Sequence, residues 1–149
     1  MRRYAVEHQT SAGTNLTMLN VIAATTTRGR IYDLLIGSDA TPADVATEYQ
    51  LIRTTAVGTG GTALTGRALD PGDPAALITA TGGTFSVQPT KTASSGMLNI
   101  ALNQRATFRW VAVPDGELVI PATSGNGIAI ESIASGGTPN TNVTVHWQE

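Results

Sequence analysis

The chain has 149 residues, within the roughly 100–200 of one domain, and a chain of that size buries a core without disulfides or metals. It has no Cys and only two His, His8 and His146, which removes disulfides, thiolate metal sites, iron–sulfur clusters, thiol nucleophiles and most acid–base constellations. Charged residues are 13% of the chain, about half the usual share of around 25%, and the net charge is −2, so no nucleic-acid partner and no anionic membrane surface is expected.

Thr (23), Ala (20) and Gly (16) fill the place of the missing charges, and Lys91 is the only Lys against eight Arg. Thr is β-branched and suits a pleated, half-buried surface, whereas long helices draw on Glu, Lys and Leu. A hydrophobic content of 41% with low net charge argues against disorder. Composition therefore predicts a compact all-β domain. No apolar run approaches the roughly 20 residues of a spanning helix, so no membrane partner is expected. The two sequons, Asn15-Leu16-Thr17 and Asn142-Val143-Thr144, are at the number chance provides in a Thr-rich chain.

In chain order, Tyr4, Val6 and His8 alternate with Arg3, Ala5 and Glu7 as an opening strand. Two apolar strands follow over 16–24 and 30–36, separated by Thr25-Thr26-Thr27-Arg28-Gly29. Thr41 as N-cap, Pro42 at the first helical position and Asp44 in the first turn predict one helical turn. Residues 47–57 read as a strand and Gly58–Gly66, with four glycines, as a loop. Asp70-Pro71-Gly72-Asp73-Pro74 predicts a turn and then a short helix capped by Asp73, ended by Gly82-Gly83. Further strands are predicted over 84–90, 97–103, 106–113, 117–121, 127–134 and 142–148.

Nine or ten short strands with a turn signal every 8–12 residues favour an antiparallel β-sandwich, and among sandwiches the jelly roll, with one or two short helical turns. An immunoglobulin-like sandwich is the second choice. One domain is expected over 1–149, with Met1–His8 as a candidate N-terminal arm.

Candidate chemistry thins out on inspection. Gly61-Thr62-Ala63-Leu64-Thr65-Gly66-Arg67-Ala68 approaches a P-loop, but Arg67 and Ala68 stand where Lys and a hydroxyl residue belong, and no helix follows. Gly58-Thr59-Gly60-Gly61-Thr62-Ala63 fits a dinucleotide fingerprint loosely, yet Gly83 stands where the ribose-binding acid belongs. His8 and His146 lack a His-x-His partner, though paired terminal strands would make them neighbours. Asp115 and Glu117 flank a turn tip as a nominal acid–base pair; Asp70 and Asp73 are explained by turn and capping roles. No enzyme activity, cofactor, nucleotide or stoichiometric metal is expected.

Arginine is the polar residue with a distinctive skew. Residues 105, 107 and 109 share one strand face, opposite Ala106, Phe108 and Trp110. Phe108 and Trp110 are assigned to the core with Ala106 and Ala112, and Phe108→Ala is expected to cost about 3–5 kcal/mol. Arg105 and Arg109 are either a solvated face or a protein interface, since Arg and aromatics are enriched at interfaces and Lys depleted. On either reading, replacing both with Ser leaves folding nearly unchanged. Arg2, Arg3 and Tyr4 join them as candidate interface residues.

The segments Leu98-Asn99-Ile100-Ala101-Leu102-Asn103-Gln104-Arg105-Ala106-Thr107-Phe108-Arg109-Trp110-Val111, Pro114-Asp115-Gly116-Glu117-Leu118-Val119-Ile120-Pro121-Ala122 and Ala68-Leu69-Asp70-Pro71-Gly72-Asp73-Pro74-Ala75 carry a resemblance. Together they resemble small jelly-roll virion proteins of tailed bacteriophages, including capsid cement (decoration) proteins of cyanobacterial phages. The resemblance spans roughly residues 30–148, and Met1–His8 departs from it. It implies a structural protein on the capsid exterior, a homotrimer bound to the major capsid protein and bridging neighbouring capsomers. The alternative is a carbohydrate- or receptor-binding jelly-roll module of a tail fibre, which calls for exposed aromatics grouped with Asp or Asn in one set of loops.

Overall fold

In a computed structural model that describes residues 1–149, the apolar runs become twelve strands and no helix. They are β1 (Arg3–Ser11), β2 (Leu16–Ile22), β3 (Gly29–Ser38), β4 (Ala46–Ala56), β5 (Thr62–Leu64) and β6 (Arg67–Ala68). The remainder are β7 (Thr79–Gly82), β8 (Thr90–Asn103), β9 (Thr107–Val111), β10 (Leu118–Ile120), β11 (Gly127–Ser135) and β12 (Asn140–Gln148). All pairings are antiparallel. Sheet A has the order β10-β3-β12-β1-β6, with β9 sharing the outer edge of β3 end to end with β10. Sheet B has the order β5-β7-β2-β11-β4-β8.

The two sheets pack face to face because strand alternation gives each an apolar inner face. Sheet A contributes Tyr4, Val6, Ile31, Leu34, Ile36, Val143, Val145 and Trp147; sheet B contributes Leu19, Val21, Tyr49, Leu51, Ile128 and Ile130. Tyr4 and Trp147, opposite each other on β1 and β12, stack with ring centroids 5.8 Å apart. The buried Tyr4 hydroxyl donates to the Pro74 carbonyl at 3.1 Å. Tyr49 on sheet B and Thr141 on sheet A share a hydrogen bond at 3.1 Å across the core. The antiparallel sandwich expected from the sequence is thus present.

Neither helical turn forms. Gln104, buried at the start of the turn before β9, accepts the Ala43 N–H at 3.1 Å, so the Thr41–Asp44 segment is fixed from a distance and stays irregular. At the second site Asp70 does the capping: its Oδ1 accepts the Gly72 N–H at 2.9 Å, and its carbonyl accepts the Asp73 N–H at 3.0 Å. The chain then runs extended because the Glu149 carboxylate takes the N–H groups of Leu77 (2.8 Å) and Ile78 (3.1 Å). Met1–His8 is no free arm either; from Arg3 onward it is β1, between β12 and β6.

Residues 84–90 are also not a regular strand. They belong to one of two links that cross from one side of sheet B to the other, 57–61 from β4 to β5 and 83–89 from β7 to β8. The links pair with each other at Thr59 and Val87. Gly58 (φ 78°) and Gly60 (φ 81°) make that approach possible, since a side chain there would strike the Val87 carbonyl or Ser86. Gln88 accepts the Thr17 N–H at 2.9 Å, and Lys91 pairs with Glu131, both on the side of sheet B away from the core. Consequently Thr17, Asn20, Ile52, Thr54, Ala129 and Glu131 are buried on what would otherwise be an open face.

Two outcomes test this packing by urea denaturation. Trp147→Ala is expected to cost about 3–5 kcal/mol, and Phe108→Ala less, because Phe108 is half-buried at the core margin. Lys91→Ala leaves the Glu131 carboxylate buried without its cation and should cost about 3–5 kcal/mol. Adding Glu131→Gln to Lys91→Ala should restore most of that loss.

Candidate functional site

A β-bulge builds a charged cluster in the middle of sheet A. Between β3 and β12 the register shifts so that Ile31 faces Trp147 and Asp33 faces His146, with Tyr32 the extra residue. Bulges re-aim side chains; here Ile31 stays in the core while Asp33 emerges on the outer face of sheet A. Arg109 on β9 grips it with both arms of its fork, Nε to Oδ1 at 3.0 Å and Nη2 to Oδ2 at 2.6 Å. His146 Nδ1 lies 3.2 Å from Oδ2. The Tyr32 ring lies 6.0 Å from the His146 ring, and the Arg3 guanidinium carbon lies 5.8 Å from the Tyr32 ring centre, within cation–π range.

Asp33 is buried while the Arg109 side chain is 60% exposed. The hydrogen bonds from Arg109 hold the Asp33 carboxyl below the usual carboxylate range, with burial opposing and His146 assisting. The same bonds push the Arg109 guanidinium up. A carboxylate already accepting from two side chains is an anchor, poorly placed to take a proton at neutral pH. The His146 ring hydrogen-bonds only Asp33, and no hydroxyl is set against it.

Two open hollows flank the cluster. One of about 560 Å³ lies over β1 and the turn before β6, with Glu7, Arg67 and His146 around apolar Ala63, Leu64 and Leu69. The other, about 330 Å³, is bounded by Arg3, Tyr32, Pro114 and Glu117. Both are shallow and shared between strands.

The five interface candidates separate in space. Arg3 and Arg109 both belong to the outer face of sheet A. Arg105 does not share a strand face with Arg109: Asn103 Oδ1 accepts its N–H at 2.9 Å and turns the chain there, leaving its guanidinium 4.0 Å from Asp44. Arg2 is 3.7 Å from Asp73. Tyr4 is a fully buried core residue and presents no surface. Arg109 is also more than a solvated side chain, because a buried carboxylate depends on it. Sequence reading missed Asp33, although a single acid inside Ile31-Tyr32-Asp33-Leu34-Leu35-Ile36 is the signal for a buried charge that needs a partner.

The remaining candidates are not brought together. His8 points between the sheets, against Gly82 and Gly83, where burial pushes its imidazole below the usual range; His146 lies on the opposite face of sheet A. The P-loop-like segment is split between β5 and β6. Asp115 occupies a left-handed turn position (φ 63°) and Glu117 lies 3.7 Å from Arg30.

Arg109→Ser should therefore lower the melting temperature clearly, and Arg105→Ser should leave it within about a degree, since an exposed pair is worth little. Asp33 has a depressed folded-state pKa, so its contribution is complete above the usual carboxylate range and lost as pH falls below it. Asp33→Asn should then lower stability at neutral pH and flatten the acid limb of a urea-denaturation pH series. No protein-family model matches this chain, and no curated protein matches it in sequence.

Proposed function

We propose that the chain is a non-enzymatic jelly-roll subunit of a virion, bound as a homotrimer to the outside of a tailed-phage capsid, where it bridges major capsid proteins. The strand order supports the jelly-roll reading. One sheet runs β1-β12-β3-β9 and the other β2-β11-β4-β8, the order two Greek keys produce when β5 to β7 are treated as an insertion after β4. The insertion adds β6 to one sheet and β5 and β7 to the other.

The observation that carries the functional reading is where the resembling segments fall. The first runs from the end of β8, at an edge of sheet B, through β9; the second holds β10, which shares one lateral edge of sheet A with β9; and the third starts at the last residue of β6 on the other edge of sheet A. Between these edges lies a face whose centre is pinned by the Asp33–Arg109–His146 cluster. A pre-set face of this kind suits docking onto a repeating lattice, since little ordering cost is left to binding. Three such faces on one trimer convert modest contacts into tight attachment, and attachment stabilises only the assembled shell.

The tail-fibre reading draws on the larger hollow, whose Glu7, Arg67 and His146 offer polar contacts. Sugar recognition favours an aromatic platform as well, but Trp147 is buried in the core and Trp110 is half-buried against it.

Immunogold labelling of purified virions, with antibody raised against the folded chain, distinguishes the readings. Label distributed over the capsid exterior is expected. Label confined to the tail favours the receptor-binding module, and absence from the virion protein complement overturns both.

A further inference from the structure

The four sheet edges are unequal. Sheet B ends in β5, three residues long, and in β8, whose register against β4 shifts at three places and is regular only from Leu98 to Asn103. Sheet A ends in two straight edges. On β1, Arg3 accepts the Leu69 N–H and Ala5 pairs with Arg67, so the odd-numbered residues face outward. No strand continues β6 past Ala5, which leaves the backbone N–H and C=O of Glu7, Gln9 and Ser11 without partners. On β9, the Ala112 N–H donates to Tyr32, so the even-numbered residues bond β3 and the backbones of Thr107, Arg109 and Val111 are free. An unpaired regular edge is a template for another strand.

We propose that the free edge of β1 pairs with the free edge of β9 in a second copy of this chain, so that sheet A continues from one subunit into the next. Each edge offers three residues with outward backbone groups, and the antiparallel register that pairs all three sets Glu7 against Val111, Gln9 against Arg109 and Ser11 against Thr107, clear of β6 at Ala5 and with Glu7 diagonal to Arg109. Charge favours this pairing. Glu7 is exposed on the β1 edge, and Arg109, with its side chain 60% exposed, on the β9 edge. The regular part of β8 is the poorer partner for β1, because its Asn99 and Asn103 are bonded to Glu48 and Asp44, carboxylates that would repel Glu7. Val111, 55% exposed at the β9 edge, gains a covered position in the assembly.

The contact is heterologous: every subunit gives one edge and receives the other, so copies close into a ring or extend as a filament. The inference rests on the homotrimer of the proposed function, with closure at three, and is independent of the capsid.

Proline in an edge strand removes an outward N–H without breaking an internal hydrogen bond, which Gln9→Pro does on β1 and Thr107→Pro on β9. Light scattering coupled to size exclusion should find the wild-type full chain a trimer at micromolar concentration and each variant a monomer. An equimolar mixture of the two variants should form dimers, because one intact β1 edge and one intact β9 edge remain. Glu7→Lys, which replaces no backbone group, should weaken association at least tenfold and guards against a proline variant that fails to fold. A trimer that survives Thr107→Pro, or survives Gln9→Pro and Glu7→Lys, overturns the edge pairing and leaves the homotrimer standing. A monomeric wild-type chain overturns both.

Discussion

The structure depends on the pairing of its first and last strands. β12 lies between β1 and β3, and its register with β1 is unbroken from Arg3 opposite Gln148 to Ser11 opposite Asn140. Arg2 and Glu149 extend the ladder with two further backbone hydrogen bonds of 3.0 Å. Without β12, sheet A falls into two parts, Trp147 loses its stack on Tyr4, and Asp33 loses His146. The last residue also organises a segment 71 or 72 positions earlier, since Glu149 takes the Leu77 and Ile78 N–H groups. Chain ends normally fray; here they are tied into the centre of a sheet. The cost falls on folding, because contacts between the ends close the longest loop the chain has and must wait for that search.

With so few charged side chains, the inward-pointing and half-buried ones act as fixings between elements. Arg53 leaves sheet B and donates to the Val119 carbonyl on sheet A at 3.0 Å. Lys91 and Glu131 tie the start of β8 to β11, and Arg109 and His146 tie β9 and β12 to Asp33 on β3. Each joins segments far apart in sequence, so together they fix how the elements sit. The depressed acidity of Asp33 belongs to this role: the bonds that hold β9 in place are the same bonds that keep the carboxylate ionised.

What the sequence shows of this is uneven for physical reasons. Val143, Val145 and Trp147 alternate with polar residues and are buried as their pattern requires; Phe108 and Trp110 turn toward the core but stay half-buried at its margin, and Ala106, expected beside them, is exposed. Thr79-Ala80-Thr81-Gly82 forms β7 with almost no apolar signal, because its neighbour His8 packs against the bare backbone at Gly82. The Thr41 and Asp73 helix starts have sound local capping chemistry, and both lose to side chains arriving from elsewhere, Gln104 and Glu149. Arg105 and Arg109 look equivalent at a spacing of four, yet Asn103 folds a turn between the strands and only Arg109 reaches an acid in the sheet. The site is less legible than the fold because it is made by a bulge, and a register shift between strands over a hundred residues apart leaves no local trace.

The two outer faces of the sandwich differ in what they leave open. On sheet B the crossing links and the start of β8 cover Asn20, Ala129, Ile52 and Thr54, so its outer face is interior surface built from the chain itself. On sheet A, Arg3, Glu7 and Arg109 are exposed, with Ala5, Leu35, Thr144 and His146 half-buried among them, and Asp33 is the buried exception that organises the rest. The segment between β4 and β8 produces this asymmetry: two of its links lie across one sheet, while its contribution to the other is the two-residue β6, which stops short of Glu7. The same segment that closes one face therefore leaves the adjoining edge of β1 open. Any partner that recognises the strands of this molecule meets them chiefly at sheet A.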